Sequence, residues 1–241
     1  MTIKTEAIVL HSLRYGEQRL IVDMFTMELG RQSFIVSIPK GKKCGIGKQL
    51  FQPLTILDIT AETASHGQLQ KLKTAHVAVP YLTLPFSAVK LSLSLFLSDF
   101  LYQALKGEQQ NIPLYLYIKD SLMWLDVCDK PVSNFHLVFM LHLAQFIGFA
   151  PNTEGYVEGD VFDLRACAFC STVPAHSDYI AASDAAVINT VMRINYATMH
   201  LFRFARTERN RLVDMLVRYY CIHLPDFAPL KSLPVLRELF D

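Results

Sequence analysis

The chain lacks most of what marks an exported, membrane-spanning or catalytic protein. Its five cysteines (Cys44, Cys128, Cys167, Cys170 and Cys221) are an odd number. Three of them stand alone in apolar or basic surroundings, so no disulfide framework is expected. No basic start followed by an apolar run opens the sequence, because residues 1–6 lead straight into alternating residues. A secretory leader is therefore not expected, and the default compartment is the cytoplasm. The most membrane-like stretch, residues 88–105, is interrupted by Lys90, Ser92, Ser94, Ser98, Asp99 and Gln103. A spanning helix needs about 20 mainly apolar residues, so this stretch reads as a buried helix with no membrane role. GxSxG, HExxH, DFG and GxGxxG are all missing, and Gly47-Lys48 is followed by Gln49 where a Walker A loop needs Ser or Thr. Nothing supports an enzyme, and internal repeats and low-complexity tracts are missing too. Charged residues are scarce at 19% against 51% hydrophobic, which excludes a disordered chain and leaves enough apolar side chains for a real core.

What charge there is lies unevenly. The net is only +1, yet residues 1–80 hold ten Lys or Arg against six acids. Residues 81–185 reverse this with five against eleven, and residues 193–218 hold six arginines against Glu208 and Asp214. Two basic blocks thus flank an acidic middle, a pattern that speaks to partners where the total does not.

The first block alternates. Residues 2–11 place Ile3, Thr5, Ala7 and Val9 on one face and Lys4, Glu6, Ile8 and Leu10 on the other, as a strand does. Residues 19–26 and 31–38 are β-branched and aromatic runs parted by Glu28-Leu29-Gly30, a turn in which glycine supplies positive φ. Residues 39–49 are too rich in Gly, Pro and Lys for a regular element, and 51–62 and 69–79 supply two more strands. Five short strands with no room for a helical crossover predict a closed or nearly closed barrel over residues 1–80. Beyond Pro80 and Pro85 the period becomes helical. Helices are predicted over 86–106, 114–128, 135–147, from the Ser183-Asp184 cap to Arg193, and over 196–204, 208–223 and 234–240. The expectation is an α+β chain: a barrel domain at 1–80, then an all-helical domain at 81–241 with an irregular insert at about 149–182.

Four groups of residues can carry chemistry. The loop PKGKKCGIGK, residues 39–48, has four lysines and three glycines, a composition that lets backbone follow a phosphate chain while ammonium groups neutralise it. With Arg14, Arg19 and Arg31 from neighbouring turns and strands, Lys40, Lys42, Lys43 and Lys48 form a candidate nucleic-acid site; a merely solvated loop is the plainer alternative. Tyr15, Phe34 and Phe51 can stack on bases, although Phe34 or Phe51 is expected to be core. Arg203, Arg206 and Arg209 recur every third residue beside Phe202 and Phe204. On a continuous helix they would share a face able to grip an acidic peptide with a hydrophobic end, or duplex phosphates, or equally to pair with the acidic middle segment. Cys167 and Cys170 have metal-ligand spacing, with His176 and Asp178 nearby, but a structural zinc needs four ligands and only one cysteine pair exists. His136 and His142 lie six apart and do not share a helical face.

The opening TEAIVLHSLRYGEQRLIVDMFTMELGR, residues 5–31, and the ending HLPDFAPLKSLPVLRELF, residues 223–240, resemble the RecO recombination mediator proteins of bacteria. That resemblance implies an OB-fold barrel followed by helices, no catalytic centre, and binding to single- and double-stranded DNA. It further implies partnership with RecR and with the acidic C-terminal tail of single-stranded-DNA-binding protein (SSB), strand annealing, help in loading the recombinase, and a place in the bacterial cytoplasm at the nucleoid. Many members carry a four-cysteine zinc module, but the region around Pro151 has no first cysteine pair here, so no zinc cofactor is expected. The rival readings are an OB-fold protein of RNA metabolism and a metal-dependent hydrolase using Cys167, Cys170 and His176.

Overall fold

In a computed structural model of the chain, residues 2–38, 47–62 and 69–238 are described. The chain forms two compact units, one of Met1–Val127 with Leu230–Leu233 and one of Cys128–Pro229 with Pro234–Asp241. The change from strands to helices and the change of compact unit therefore fall at different places, because two helices pack with the barrel.

In the first unit, strands β1 (Thr2–Arg14), β2 (Arg19–Thr26), β3 (Gly30–Ser37), β4 (Ile56–Glu62) and β5 (Gln70–Val79) close a barrel in the order β1-β2-β3-β5-β4. All pairings are antiparallel except β3 with β5. Alternation sends Ala7, Val9, Leu20, Val22, Met24, Phe34, Val36, Leu57 and Ile59 into a common interior. Phe51, at the end of a 3-10 turn over Lys48–Phe51, plugs the same core. A side chain so buried contributes about 1.5–3 kcal/mol. β1 is buried on both faces from Ala7 to Leu10. Its outer face is covered by helix α1 (Ala88–Ala104), whose Ser98 hydroxyl donates to the Leu10 carbonyl at 2.5 Å. Gly30 closes the β2–β3 hairpin at φ +67°, where a Cβ would stand 2.4 Å from the Gln109 backbone, so only glycine fits.

Helix α2 (Ile112–Val127) is tied back to the barrel by Glu6, whose carboxylate accepts from Lys119 Nζ at 2.8 Å and the Tyr115 hydroxyl at 3.0 Å. Its last turn carries Asp126. One carboxylate oxygen accepts from the Leu82 amide at 2.7 Å and the other from the Thr83 and Leu84 amides at 2.8 and 2.7 Å. Lys90 Nζ bonds the Thr83 hydroxyl and the Asp126 carbonyl at 2.7 and 2.8 Å. The connection from barrel to α1 is thus locked on one buried carboxylate. Asp99 similarly accepts from the Ser232 amide and hydroxyl, both at 2.9 Å, which is why Leu230–Leu233 belong to this unit.

The second unit holds α3 (Phe135–Phe146), α4 (Ala182–Arg193), α5 (Arg206–His223) and most of α6 (Leu233–Glu238). It is not all-helical. Within the span expected to be irregular, β6 (Val161–Asp163), β7 (Ala168–Cys170) and β8 (Tyr179–Ile180) form a sheet in the order β7-β6-β8. Strands of two or three residues are too short to display a period. The helix expected over 196–204 shrinks to a 3-10 turn at Met199–Leu201. Asn134 explains this, since its side-chain amide donates to the Met199 and Phe202 carbonyls at 3.1 and 2.8 Å and takes acceptors a helix would use. Helix α5 starts at Arg206, two residues earlier than its pattern indicates, because the Glu208 carboxylate reaches back to the Ala205 amide at 2.9 Å.

Candidate nucleic-acid interface

Three of the seven candidate cations meet at one end of the barrel. Arg14 ends β1, Arg19 begins β2 and Lys48 begins the 3-10 turn; with Glu17, Gln18, Leu20 and Ile38 they line an open cleft of about 200 Å³. Each is placed by ordinary local forces. Gly16, at φ +69°, turns the chain between β1 and β2, and the Arg14 Nε–H donates to the Gly16 carbonyl at 3.2 Å. The Tyr15 amide bonds the Arg19 carbonyl at 2.9 Å, and the Ile38 amide bonds the Gln18 carbonyl at 2.7 Å. Phe51, sunk in the core, fixes the turn that begins at Lys48. Three cations against the single carboxylate of Glu17 leave the cleft positive, suited to a polyanion. Lys40, Lys42 and Lys43 lie outside the described residues.

Arg31 does not join them. Its guanidinium sits 3.4 Å from Asp23 Oδ1, donates to the Tyr102 carbonyl at 3.0 Å, and lies 4.5 Å over the Tyr102 ring, leaving the side chain 13% exposed. Burial raises the Asp23 pKa, but hydrogen bonds from His11 and Ser33 and the Arg31 charge outweigh it, holding the carboxyl below the usual carboxylate range. The Asp23 carboxylate therefore stays ionised at neutral pH, and Arg31 secures α1 to the barrel wall. Phe34 and Phe51 are core, and Tyr15 is exposed.

The arginine block also divides. Arg203 lies in the extended stretch before α5, so no continuous helix carries Arg203, Arg206 and Arg209 on one face. Arg209 is only 8% exposed and donates to the Phe204 carbonyl at 2.9 Å and to Asn134 Oδ1 at 3.3 Å. Its guanidinium ties α5 to the stretch before it and to Asn134. Arg211 pairs with Asp184 at 2.5 Å and Arg218 with Asp178 at 2.6 Å, so acids of the middle segment neutralise much of this block. Arg206 donates to the Arg237 carbonyl at 2.9 Å. Arg203 stays exposed beside Leu201 and Phe202, two of the exposed large apolar side chains.

Cys167, at φ +55°, stands just before β7, which ends at Cys170. Cys167 Sγ faces His223 Nε2 at 3.4 Å; that nitrogen lies 2.8 Å from the Leu164 carbonyl, which can only accept, so Nε2 carries the hydrogen and has no lone pair for a metal. His176 Nδ1 accepts from the Asp178 amide at 3.2 Å and its Nε2 faces Asp163 at 3.4 Å, so both ring nitrogens have protein partners. Among the described residues no three His, Cys, Asp or Glu side chains converge as metal ligands. His136 is a core residue whose pKa is pushed down to about 3 by burial and then by Arg209, and His142 faces the Met192 carbonyl at 3.4 Å.

Residues 1–81 match the model of the Recombination protein O N terminal domain, and residues 86–234 match that of the Recombination protein O C terminal domain. The chain belongs to the RecO family. Its relatives include the DNA repair protein RecO of Phocaeicola vulgatus, 46% identical over the full length of both chains, and that of Bacteroides fragilis, 43% identical over the same extent. That of Azobacteroides pseudotrichonymphae is 34% identical, again end to end. The closed barrel at the start and the helices after it are the family's OB-fold and its C-terminal domain. No helix among the described residues is long and apolar enough to cross a membrane.

Sequence reasoning missed two features of this RecO member. One is the Asp126 lock, whose partners are backbone amides invisible to a motif. The other is the outer barrel row through Ile21 and Ile35. Its signal was present, since Leu20 to Phe25 is apolar on both alternating faces except at Asp23, more than a barrel interior requires.

Proposed function

We propose that this chain is a non-enzymatic mediator of DNA repair that binds single- and double-stranded DNA at the barrel mouth, anneals complementary strands and helps load recombinase onto SSB-coated DNA. The observation that carries this reading is the convergence of Arg14, Arg19 and Lys48 from three elements on one open cleft, in a chain of the RecO family. RecR and the acidic, hydrophobic-ended tail of SSB are its protein partners, and it works in the cytoplasm at the nucleoid. For the tail, exposed Arg203 with Leu201 and Phe202 offers one cation beside apolar side chains, with Arg206 starting the helix that follows.

The test is annealing of complementary strands coated with SSB, with and without the protein. Acceleration is expected, with loss of most of it when SSB lacks its acidic tail or when Arg203 is replaced by alanine. Unchanged annealing with tailless SSB would move the protein away from that partner, and no acceleration on any substrate would end the mediator reading.

We further propose that the second unit folds without zinc, on the strength of the engaged His223 and His176 nitrogens. Protein purified without chelator should hold well under one zinc per chain, and its melting temperature should not move with EDTA. A stoichiometric metal, with a melt that drops on chelation, would overturn this.

A further inference from the structure

The charges at the cleft favour an anion except at one side chain. Arg14, Arg19 and Lys48 line it, and among the described residues of its lining Glu17 is the one carboxylate. Local structure puts that carboxylate amid the cations. The Tyr15 amide bonds the Arg19 carbonyl at 2.9 Å, which closes a short turn between β1 and β2 with Glu17 in its middle. The Arg14 Nε–H, donating to the Gly16 carbonyl at 3.2 Å, is held at the residue next to Glu17, and Arg19 follows two residues later.

The fold itself does not ask for an acid at this position. Glu17 is exposed and fills no core, and the left-handed residue that makes the turn is its neighbour Gly16, at φ +69°. Gln18, exposed in the same turn, lines the same cleft without a charge. In a cleft of about 200 Å³ a carboxylate competes with a phosphate oxygen for the same donors. It acts in two ways. It neutralises part of the cationic charge before any ligand arrives, and it repels the phosphate that comes in. A cation already matched by an internal carboxylate also holds no counterion to release, so it adds nothing to the salt dependence of binding. Each effect is modest at an exposed site, where an ion pair is worth up to about fivefold in an equilibrium.

We propose that Glu17 is a built-in competitor for phosphate, which DNA must displace to occupy the cleft, and that it limits affinity and speeds release of the strand. A mediator has to pass its strand on, and a grip that carries its own competing anion stays exchangeable. The inference rests on the DNA-binding reading above and deepens it.

The test measures binding of a dT oligomer and of a blunt duplex at 0.1 M salt and above. Glu17→Gln should tighten both about 3- to 10-fold, because the effect is on phosphate and both ligands have it. The slope of log affinity against log salt should steepen by about 0.7 on dT and about 0.9 on duplex, the share of one further phosphate contact. The gain on dT should therefore shrink about twofold between 0.1 and 0.3 M salt. Release of labelled dT into excess unlabelled strand should slow by a similar factor. Glu17→Asp, which keeps the charge, should stay within about twofold of the parent. Because Glu17 is exposed, its variants should melt with the parent. Asp58→Asn is the control for net charge. Asp58 is exposed and stands opposite Glu6, eight residues before Arg14 on β1, about 26 Å along the strand and beyond the about 10 Å that 0.1 M salt leaves unscreened. It should bind as the parent does. Unchanged or weaker binding in Glu17→Gln, an unchanged slope, unchanged release, or an equal gain in Asp58→Asn would overturn the inference while leaving DNA binding intact. A parent that binds neither DNA, or a triple Arg14, Arg19, Lys48 glutamine variant that binds as the parent does, would overturn the reading of the cleft and the inference with it.

Discussion

Replacing Asp126 with alanine is expected to lower the stability of the first unit by about 3 kcal/mol, since three amides lose their partner and a donor left unpaired costs about 1–3 kcal/mol where it is buried, as at Leu84. Asp126 is 4% exposed and holds the Leu82, Thr83 and Leu84 amides, of which the Leu84 bond is fully buried. Urea titration should show the midpoint falling at unchanged slope. Asp126→Asn should lie between the two. With its oxygen toward Thr83 and Leu84 it keeps two bonds, while its amide nitrogen opposes the Leu82 N–H, donor against donor. Burial pushes the Asp126 pKa up, but the three amides and Lys90 pull harder, so the folded value lies below the usual carboxylate range. A depressed folded pKa stabilises fully above the unfolded value, about 3.9, and the contribution fades as pH falls through the folded value. The parent should therefore lose stability relative to Asp126→Asn only at acid pH. An alanine variant within about 1 kcal/mol of the parent would refute the lock.

The second large effect is on DNA. Changing Arg14, Arg19 and Lys48 together to glutamine should reduce single-strand affinity about 10²- to 10³-fold at 50 mM salt, because each neutralised phosphate contributes about 0.7 to the log–log salt slope. The slope itself should drop by about two. Arg31→Gln is the internal contrast. With its guanidinium already spent on Asp23 and the Tyr102 carbonyl, it should leave the slope alone and lower the melting temperature. A triple variant with the parent's slope would remove the cleft from the binding surface, and a lowered slope in Arg31→Gln would return that residue to it.

The contrast between Arg31 and Arg19 shows where sequence reading ends. Both are arginines at strand ends in the same basic block, and nothing local separates them. Arg19 lies opposite Ser37 at the open end of the barrel, while Arg31 lies under α1, a helix that begins more than fifty residues later. Arg203, Arg206 and Arg209 repeat the lesson. Their spacing suits a helix, but Asn134, far upstream, takes the Met199 and Phe202 carbonyls and ends the helical path before Arg203.

By itself the sequence determined the five strands, the order of barrel and helices, and the basic character of the first block. Alternation, turn glycines and helical period are local properties that short-range sterics and burial enforce. Only the tertiary structure decided which charges are free to meet a polyanion and which are spent inside the fold. It also decided that Cys167 stands before a short strand with Cys170 at its end, and that Leu13, Ile21, Ile35 and Lys71 share one row. Those outcomes depend on partners distant in the chain, and on a strand register that no single stretch of residues contains.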